Sequence, residues 1–422
     1  DGKLCAALLE REFDAKTIRV LLMDTGFKSV FHASADLVLG SGADLEYENA
    51  KGKMVGERLE AGTQLTVGPN SPYLEYGRMI ITPDEPEAIT IRSIERSQGT
   101  PVYSGSLEIK GTPEGLVLVN DLFLEDYLTK VVPSEMPPSY EKEALKAQAV
   151  CARTYAYRQI QGNTYSQYGA HVDDSTNFQV YNNTSANDKS TQAVKETYGK
   201  MLFYEDKPIE AFYFSTSCGR TADAGVWGTD SGKYPYLRAV EVKEGGKSLG
   251  KEDNDGFESY IKREDVIAYD TSYPMFRWQT DLPADVASAQ ISGAGQIQDM
   301  TVTDRGPGGI AGELTVTGSD GTVTIKGQSA IRSALGNPSL IITKKDGGTM
   351  TGSATLPSAF IAIEKRTGED GSLSFHIYGG GFGHGVGMSQ NGAQGMAKTG
   401  KGYKQILDFF YHGTELRECN EG

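Results

Sequence analysis

The chain is poor in the features that would place it quickly. No apolar run reaches the roughly 18 residues that mark a membrane-spanning helix. It lacks an excess of positive charge: the formal net charge of −15 argues against a reader of phosphate backbones or anionic membrane surfaces, so no nucleic-acid partner is expected. Its 4 cysteines do not settle a redox compartment. Cys5 and Cys419 lie near opposite termini and can pair only under oxidising conditions, whereas Cys151 sits in an alanine-rich stretch and reads as a small buried hydrophobe. The sequence opens DGKLCAALLEREFD, without an initiator methionine or an apolar signal core, the form expected of a chain whose targeting segment has been removed.

What remains is ordinary globular composition over 422 residues, enough for two or three domains or for one domain with a large insertion. Tyrosine outnumbers phenylalanine, 22 to 15, as in proteins with wet grooves that hold extended polar ligands such as glycans. After a leader (residues 1–16), short alternating runs such as TIRVLLM, GRMIIT and AITIRSI, separated by turn clusters, predict a β-rich N-terminal lobe over 17–120. Its last hairpin turns at Thr-Pro-Glu-Gly. The fold class expected is α+β: this lobe, a mixed core (121–245 and 346–422) with a buried alanine-rich helix, and an inserted α+β lobe (246–345) beginning near the glycine and charge cluster 245–255.

The stretch 131–161, VVPSEMPPSYEKEALKAQAVCARTYAYRQIQ, organises the rest. Pro133, Pro137 and Pro138 fix φ around Glu135 and predict a loop there. Ser139 is the predicted N-cap of the helix that follows, with Glu141 and Glu143 in its first turn, where the helix dipole favours anions. From Glu143 to Tyr157 there is neither glycine nor proline, and small residues on nearly every side predict a buried helix. Lys146, Val150, Arg153 and Tyr157 fall on one stripe of it. Two cations on a buried helix need partners or a ligand.

Glu135 is the strongest single candidate for chemistry. Beside Pro133, Met136 and Pro137, partial desolvation would suit it to donate a proton; alternatively it is a carboxylate paired with Lys146 or Arg153. The second informative stretch is GGGFGHGVGMSQNGAQGMA (379–397). Its GxGxxG-like spacing lacks the βαβ context of a dinucleotide site, so its glycines are better explained by close backbone approach. His384 either lines a groove or hydrogen-bonds its own loop. Ser389 and Gln390 either cap the following helix or face the same groove. Cys218 with His384 as a nucleophile–base pair, and His171 with Asp173 and Asp174 as a cation site, are weaker than their structural alternatives. No metal and no cofactor is called for.

VVPSEMPPSYEKEALKAQAVCARTYAY closely resembles a signature of the stage II sporulation protein D and amidase-enhancer LytB family. The C-terminal GGGFGHGVGMSQNGAQGMAKTGKGYKQILDFFYHGTEL, and between them DDSTNFQVYNN, AFYFSTSCGRTADAGVWG and YPYLRAVE, resemble further family blocks in order, from about Ile18 to Leu416. The resemblance implies an extracytoplasmic bacterial cell-wall protein, secreted or membrane-anchored. It implies a lytic transglycosylase that cleaves peptidoglycan glycan strands, after stem-peptide removal, to 1,6-anhydro-muramic ends, or else a non-catalytic glycan binder that enhances a cell-wall amidase. Glycan strands, and an amidase or other wall-remodelling protein, are then its partners. It also implies roles: Glu135 as the catalytic acid/base, Lys146 and Arg153 as the basic residues beside it, and His384, Ser389, Gln390 and Tyr157 as substrate contacts. Where some family members carry a zinc-binding cysteine before the QVY block, this chain has Phe178, so that metal site is not carried over.

Overall fold

A computed structural model describes residues 16–183 and 187–418. The fold mixes helices and strands, as expected for α+β, and the chain divides into two compact units, residues 1–210 with 415–422, and residues 211–414.

In the first unit a seven-stranded sheet runs in the order Val172–Asp173, Thr17–Leu22, Gly115–Phe123, Ser106–Thr112, Arg78–Pro83, Ala43–Glu48, Met54–Leu59. Gly115–Phe123 is buried without interruption from Leu116 to Asn120, the pattern of a strand covered on both faces. Its hairpin with Ser106–Thr112 closes on the expected turn, Thr112 opposite Gly115. Gly115 has φ +141°, and a Cβ there would lie 2.8 Å from the His32 carbonyl oxygen, which leaves no room for a side chain. A second sheet is built from Gln64–Val67, Ala35–Leu39, Ile89–Ile91 and Val102–Tyr103, so 17–120 is β-rich as its alternation predicts. A third sheet pairs Lys200–Tyr204 with Glu415–Glu418 and so draws the end of the chain into this unit.

Three helices complete it: α1 (Leu124–Glu135), α2 (Lys142–Ile160) and α3 (Asp188–Glu196). Two local expectations are corrected. Glu135 is the last residue of α1 rather than part of a loop, because Pro133 has a helix-compatible φ and the buried pair Val131 and Val132 holds the final turn against the core. Ser139 does not cap α2. The Tyr140 N–H bonds the Pro137 carbonyl in a turn, which delays the helix start to Lys142 with Glu141 at the N-cap. The burial expected for α2 holds from Ala144 to Thr154, with Lys146 half-buried, and it packs on α1, α3 and the strand Lys200–Tyr204. Small side chains are what let all three approach it. The Asn187 side chain caps α3 by accepting from the Lys189 N–H at 3.0 Å.

The second unit contains helices α4 (Asn254–Ile261), α5 (Ala284–Gln290), α6 (Gln328–Leu335), α7 (Gln390–Lys398) and α8 (Tyr403–Phe410). A five-stranded sheet runs Thr349–Thr351, Ile341–Lys344, Trp278–Pro283, Leu373–Gly379, Ile361–Thr367, beside a three-stranded meander, Ile297–Arg305, Ala311–Gly318, Gly321–Lys326. Trp278–Pro283 pairs with Leu373–Gly379, so the segment 246–345 shares a sheet with the chain that follows it, and the cluster 245–255 lies inside this unit. The glycine-rich loop leaves that sheet at Gly379 and ends in the short strand Met388–Ser389, parallel to Tyr213–Phe214. Cys5 and Cys419 fall outside the described residues.

One glycine of α7 decides a sign. In an open helix Gly→Ala gains about 1 kcal/mol, but a Cβ on Gly395 would sit 2.0 Å from the Tyr269 carbonyl oxygen. Overpacking of that kind costs about 1–3 kcal/mol. Gly395→Ala is therefore expected to lower the thermal midpoint of the full chain; a raised midpoint in a calorimetric scan would refute the close packing of α7.

Candidate functional site

Glu135 ends α1 half-buried, with Met136 buried beside it. Its Oε1 accepts the Val180 N–H at 2.7 Å, which fixes the carboxylate against the QVY segment. That donor favours the anion, whereas the partial negative charge at a helix C-terminus opposes it. Two tyrosines come close enough to register its charge. Burial and then Glu135 hold the Tyr127 phenol well above its ordinary value. Burial, followed by Glu210, Asp173 and Glu135, does the same for Tyr155. Both phenols are therefore proton-bearing donors at neutral pH. Tyr127 donates to Gln179 Oε1 at 3.3 Å, and Gln179 in turn donates to the Ala152 carbonyl of α2 at 3.2 Å.

The other carboxylates near Tyr155 are held by their own partners. Asp173 accepts from the Ser175 N–H and hydroxyl (2.8 and 2.7 Å), the Tyr165 hydroxyl (2.8 Å) and the Asn177 amide (3.1 Å). Glu210 pairs with Arg158 at 2.6 Å. Asp174 accepts from Arg96 at 2.5 Å and from the Met23 N–H at 3.0 Å, and burial pushes its carboxyl up to about 6. His171 Nδ1 accepts the Arg19 N–H at 3.0 Å. Protein donors thus occupy the His171, Asp173 and Asp174 cluster. Among the described residues, no group of three or more such side chains is placed to hold a metal ion.

The cations of α2 separate. Arg153 is wholly buried and grips Glu125 of α1 through both oxygens, at 2.6 and 2.8 Å. It also donates to the carbonyls of Val194 and Lys200, at 3.3 and 3.2 Å. The sequence places Arg153 beside the acid, but its guanidinium is turned to Glu125, one helix length from Glu135. Lys146 pairs with Glu143 at 2.9 Å and Glu196 at 2.7 Å; burial opposes its charge, the two carboxylates outweigh that, and its pKa is raised. Tyr157 is buried, with the Lys16 ammonium 5.8 Å from its ring centroid, and lines a cavity of about 330 Å³ with Arg158, Gln161 and Phe203.

In the second unit, His384 is surrounded by Trp227, Phe214 and Phe212 at centroid distances of 5.4, 5.7 and 6.1 Å. The Val386 N–H can only donate, and it donates to Nδ1 at 3.1 Å. The proton therefore sits on Nε2, which donates to the Tyr213 carbonyl at 2.9 Å. Burial pushes this imidazole down to about 4, so both nitrogens serve the loop in the neutral form. Cys218 is buried and its thiol is pushed up to about 11, the opposite of an activated nucleophile. Ser389 is fully buried and caps α7, accepting the Gly392 N–H at 3.0 Å and donating to Asp270 at 2.9 Å. Burial pushes the Asp270 carboxyl up to about 6 despite hydrogen bonds from Ser217 and Ser389. Gln390 is the buried first residue of α7.

Sequence reasoning missed Tyr127, Tyr155 and Glu210. The aromatic pair in ARTYAYR is a visible signal, since two tyrosines in an alanine-rich helix need a reason, but only Tyr157 shares the stripe of Lys146 and Arg153.

The profile of the Stage II sporulation protein family matches residues 112–204, and one for a domain of unknown function matches 224–387. The chain is 32% identical over 342 residues to Stage II sporulation protein D of Bacillus subtilis (strain 168), covering 76% of this chain and 84% of that protein. It is 32% identical to Stage II sporulation protein D of Bacillus amyloliquefaciens, over 72% of this chain and 76% of that protein. It is also 32% identical to the Amidase enhancer of Bacillus subtilis (strain 168), over 68% of this chain but 40% of that longer protein.

Two outcomes test this arrangement. Arg153→Met leaves Glu125 and two carbonyls without their donor and is expected to destabilise the first unit by about 3–5 kcal/mol, read by urea denaturation, with Arg153→Met/Glu125→Gln recovering part of the loss. An unchanged midpoint with lost activity would instead give Arg153 a chemical role. The His384 ring should titrate by NMR only as pH falls toward about 4. Its contribution to stability is then complete above the ordinary histidine value near 6.5 and is lost as pH drops through that range; an inflection at 6.5 in the folded protein would contradict the caged, neutral ring.

Proposed function

The chain belongs to the stage II sporulation protein D family, and from that premise we propose that it is a peptidoglycan lytic transglycosylase acting on glycan strands with Glu135 as its single acid/base. The observation that carries this reading is the fixed position of Glu135: a half-buried carboxylate held by the Val180 N–H and flanked by two proton-bearing phenols. Glycoside hydrolases use two carboxylates, one to protonate the leaving oxygen and one to activate water or attack carbon. Here Asp173 and Glu210, the nearby candidates for the second part, are committed to their own donors.

A transglycosylase needs one. Glu135 gives its proton to the glycosidic oxygen as the bond to the muramic C1 breaks. The 6-hydroxyl of the same sugar then closes on C1, and its proton passes to the Glu135 carboxylate. The ring closes to a 1,6-anhydro end, no water is consumed, and the acid is restored. Tyr127, whose O–H is given to Gln179, steadies the segment that carries the Val180 donor, Tyr155 adds a protonated phenol, and Lys146 with Arg153 holds the helix scaffold on which the acid stands. His384, Ser389 and Gln390 act in this reading by shaping the glycine-rich loop that contacts substrate. The site of action is extracytoplasmic, on the wall; no helix among the described residues is long and apolar enough to cross a membrane.

The relative named Amidase enhancer favours a second reading, in which the chain binds glycan or a wall amidase without cutting. One experiment separates the two. Purified glycan strands, with and without stem peptides, are incubated with the wild-type chain and with Glu135→Gln, and the products are scored for anhydro ends by mass spectrometry. We expect anhydro products from the wild type and a loss of at least about 100-fold in the variant, with unchanged thermal unfolding. Full cleavage by Glu135→Gln would sink the assignment, and tight binding without product from the wild type would establish the enhancer reading.

A further inference from the structure

A groove in the 211–414 unit carries an excess of positive charge on a chain whose net charge is −15. Its volume is about 280 Å³, and its lining includes Lys262, Arg263, Arg277, Lys344 and Lys345 against one carboxylate, Glu264. Lys262 and Arg263 have acidic partners, Glu258 at 2.6 Å and Asp265 at 2.9 Å. The other three do not pair with a carboxylate among the described residues. Lys345 donates to the Thr271 carbonyl at 2.9 Å. Arg277 is 8% exposed and donates to the carbonyls of Cys218 and Phe276 at 2.8 and 2.9 Å, of Arg263 at 3.2 Å and of Tyr260 at 3.5 Å. A nearly buried guanidinium compensated by carbonyl dipoles and the faces of Phe276 and Tyr260, with no carboxylate partner among the described residues, is costly to keep, and an oxyanion beside it would offset that cost with charge-assisted hydrogen bonds.

The groove also adjoins the glycine-rich loop. Trp278, in its wall, donates its indole N–H to the Gly381 carbonyl at 3.0 Å, and the Gly381 N–H bonds the Met275 carbonyl at 2.8 Å. A Cβ on Gly379 would lie 2.2 Å from the Trp278 ring, so the wall and the start of the loop are packed without slack. An occupant of this groove is thereby held against the loop that carries His384.

We infer that the groove binds the carboxylate of a sugar acid, the free lactyl group of a muramic residue. This rests on the reading of glycan strands as substrate. Hydrolysis of the amide that attaches a stem peptide frees that carboxylate, so a bare strand is a polyanion, whereas a peptide-bearing strand has an amide at the same place. A groove of this size, at the small end of ligand pockets, takes about one ring. Its cations without a carboxylate partner, Arg277, Lys344 and Lys345, then distinguish bare from substituted strands by charge, independently of Glu135.

The test measures binding in the full-length Glu135→Gln chain, so that no cutting intervenes. The probes are bare glycan strands, peptide-bearing strands and poly(glycerol phosphate). Bare strands are expected to bind at least tenfold more tightly than peptide-bearing ones, with the difference shrinking as salt rises. Lys344→Glu/Lys345→Glu, on exposed and half-exposed side chains that leave the Arg277 packing intact, should abolish the preference, while Lys326→Glu on the meander leaves it. Equal affinity for the two glycans, or a preference that survives the double reversal, overturns the inference, and tighter binding of poly(glycerol phosphate) overturns the carboxylate assignment. Failure of the cleavage reading alone would leave the binding preference in place.

Discussion

The buried contact between Arg153 and Glu125 is the constraint on which the first unit depends. A guanidinium cannot shed its charge, so once α2 is packed on all sides its arginine must be answered from within. Glu125, in the first turn of α1, supplies both oxygens, and the carbonyls of Val194 in α3, Lys200 at the start of the strand Lys200–Tyr204 and Ala149 one turn back in α2 take the remaining donors. Four elements are thereby held in one register. Thr154, the next residue, adds a second tie, bonding the Val150 carbonyl and accepting the Leu202 N–H at 3.1 Å. The position of Glu135 follows from this, because α1 is pinned at its start by the ion pair and Glu135 lies at its other end.

The second unit meets the same problem differently, through neutral groups. Asp270 is enclosed by serine hydroxyls and a backbone N–H, and His384 by a carbonyl, an N–H and three aromatic rings. Each polar atom has its partner, and the glycines between them allow the approach: a Cβ on Gly387 would sit 2.0 Å from the Phe212 carbonyl oxygen. The N–H groups of Gly380, Gly381, Phe382, Gly383, Val386 and Met388 are all bonded within this unit, which ties the loop down along most of its length.

Much of this was legible in the sequence where local chemistry decides. The alternation in 17–120, the Thr-Pro-Glu-Gly turn and the alanine-rich burial of α2 all rest on residues within a few positions of one another. Glu135 stood out for the same reason. The sequence was misread where a distant contact outweighed a local rule. Prolines around Glu135 predict a loop, yet Val131 and Val132 bury the turn and draw it into the helix. A stripe of two cations predicts one shared role, yet Arg153 answers an acid 28 residues earlier and Lys146 one on α3. Spacing along a helix shows which side chains share a face, but not which neighbouring element will cover it.

The readings of cutter and enhancer differ by less than their names suggest. Where the enhancer holds glycan, both readings need the same grip on the strand, and the basic groove proposed beside the glycine-rich loop would serve either. What catalysis adds is one proton donor that can return to its starting state without water. The surroundings of Glu135 suit that narrower task. Its neighbours are phenols kept protonated by burial, and the carboxylates Asp173 and Glu210 already have protein donors. A site built to hydrolyse would leave one of those acids with open valences facing the sugar. Here Asp173 carries four donors and Glu210 an arginine, which is the observation that favours, in the proposed reading, internal attack by the sugar's own hydroxyl over attack by water.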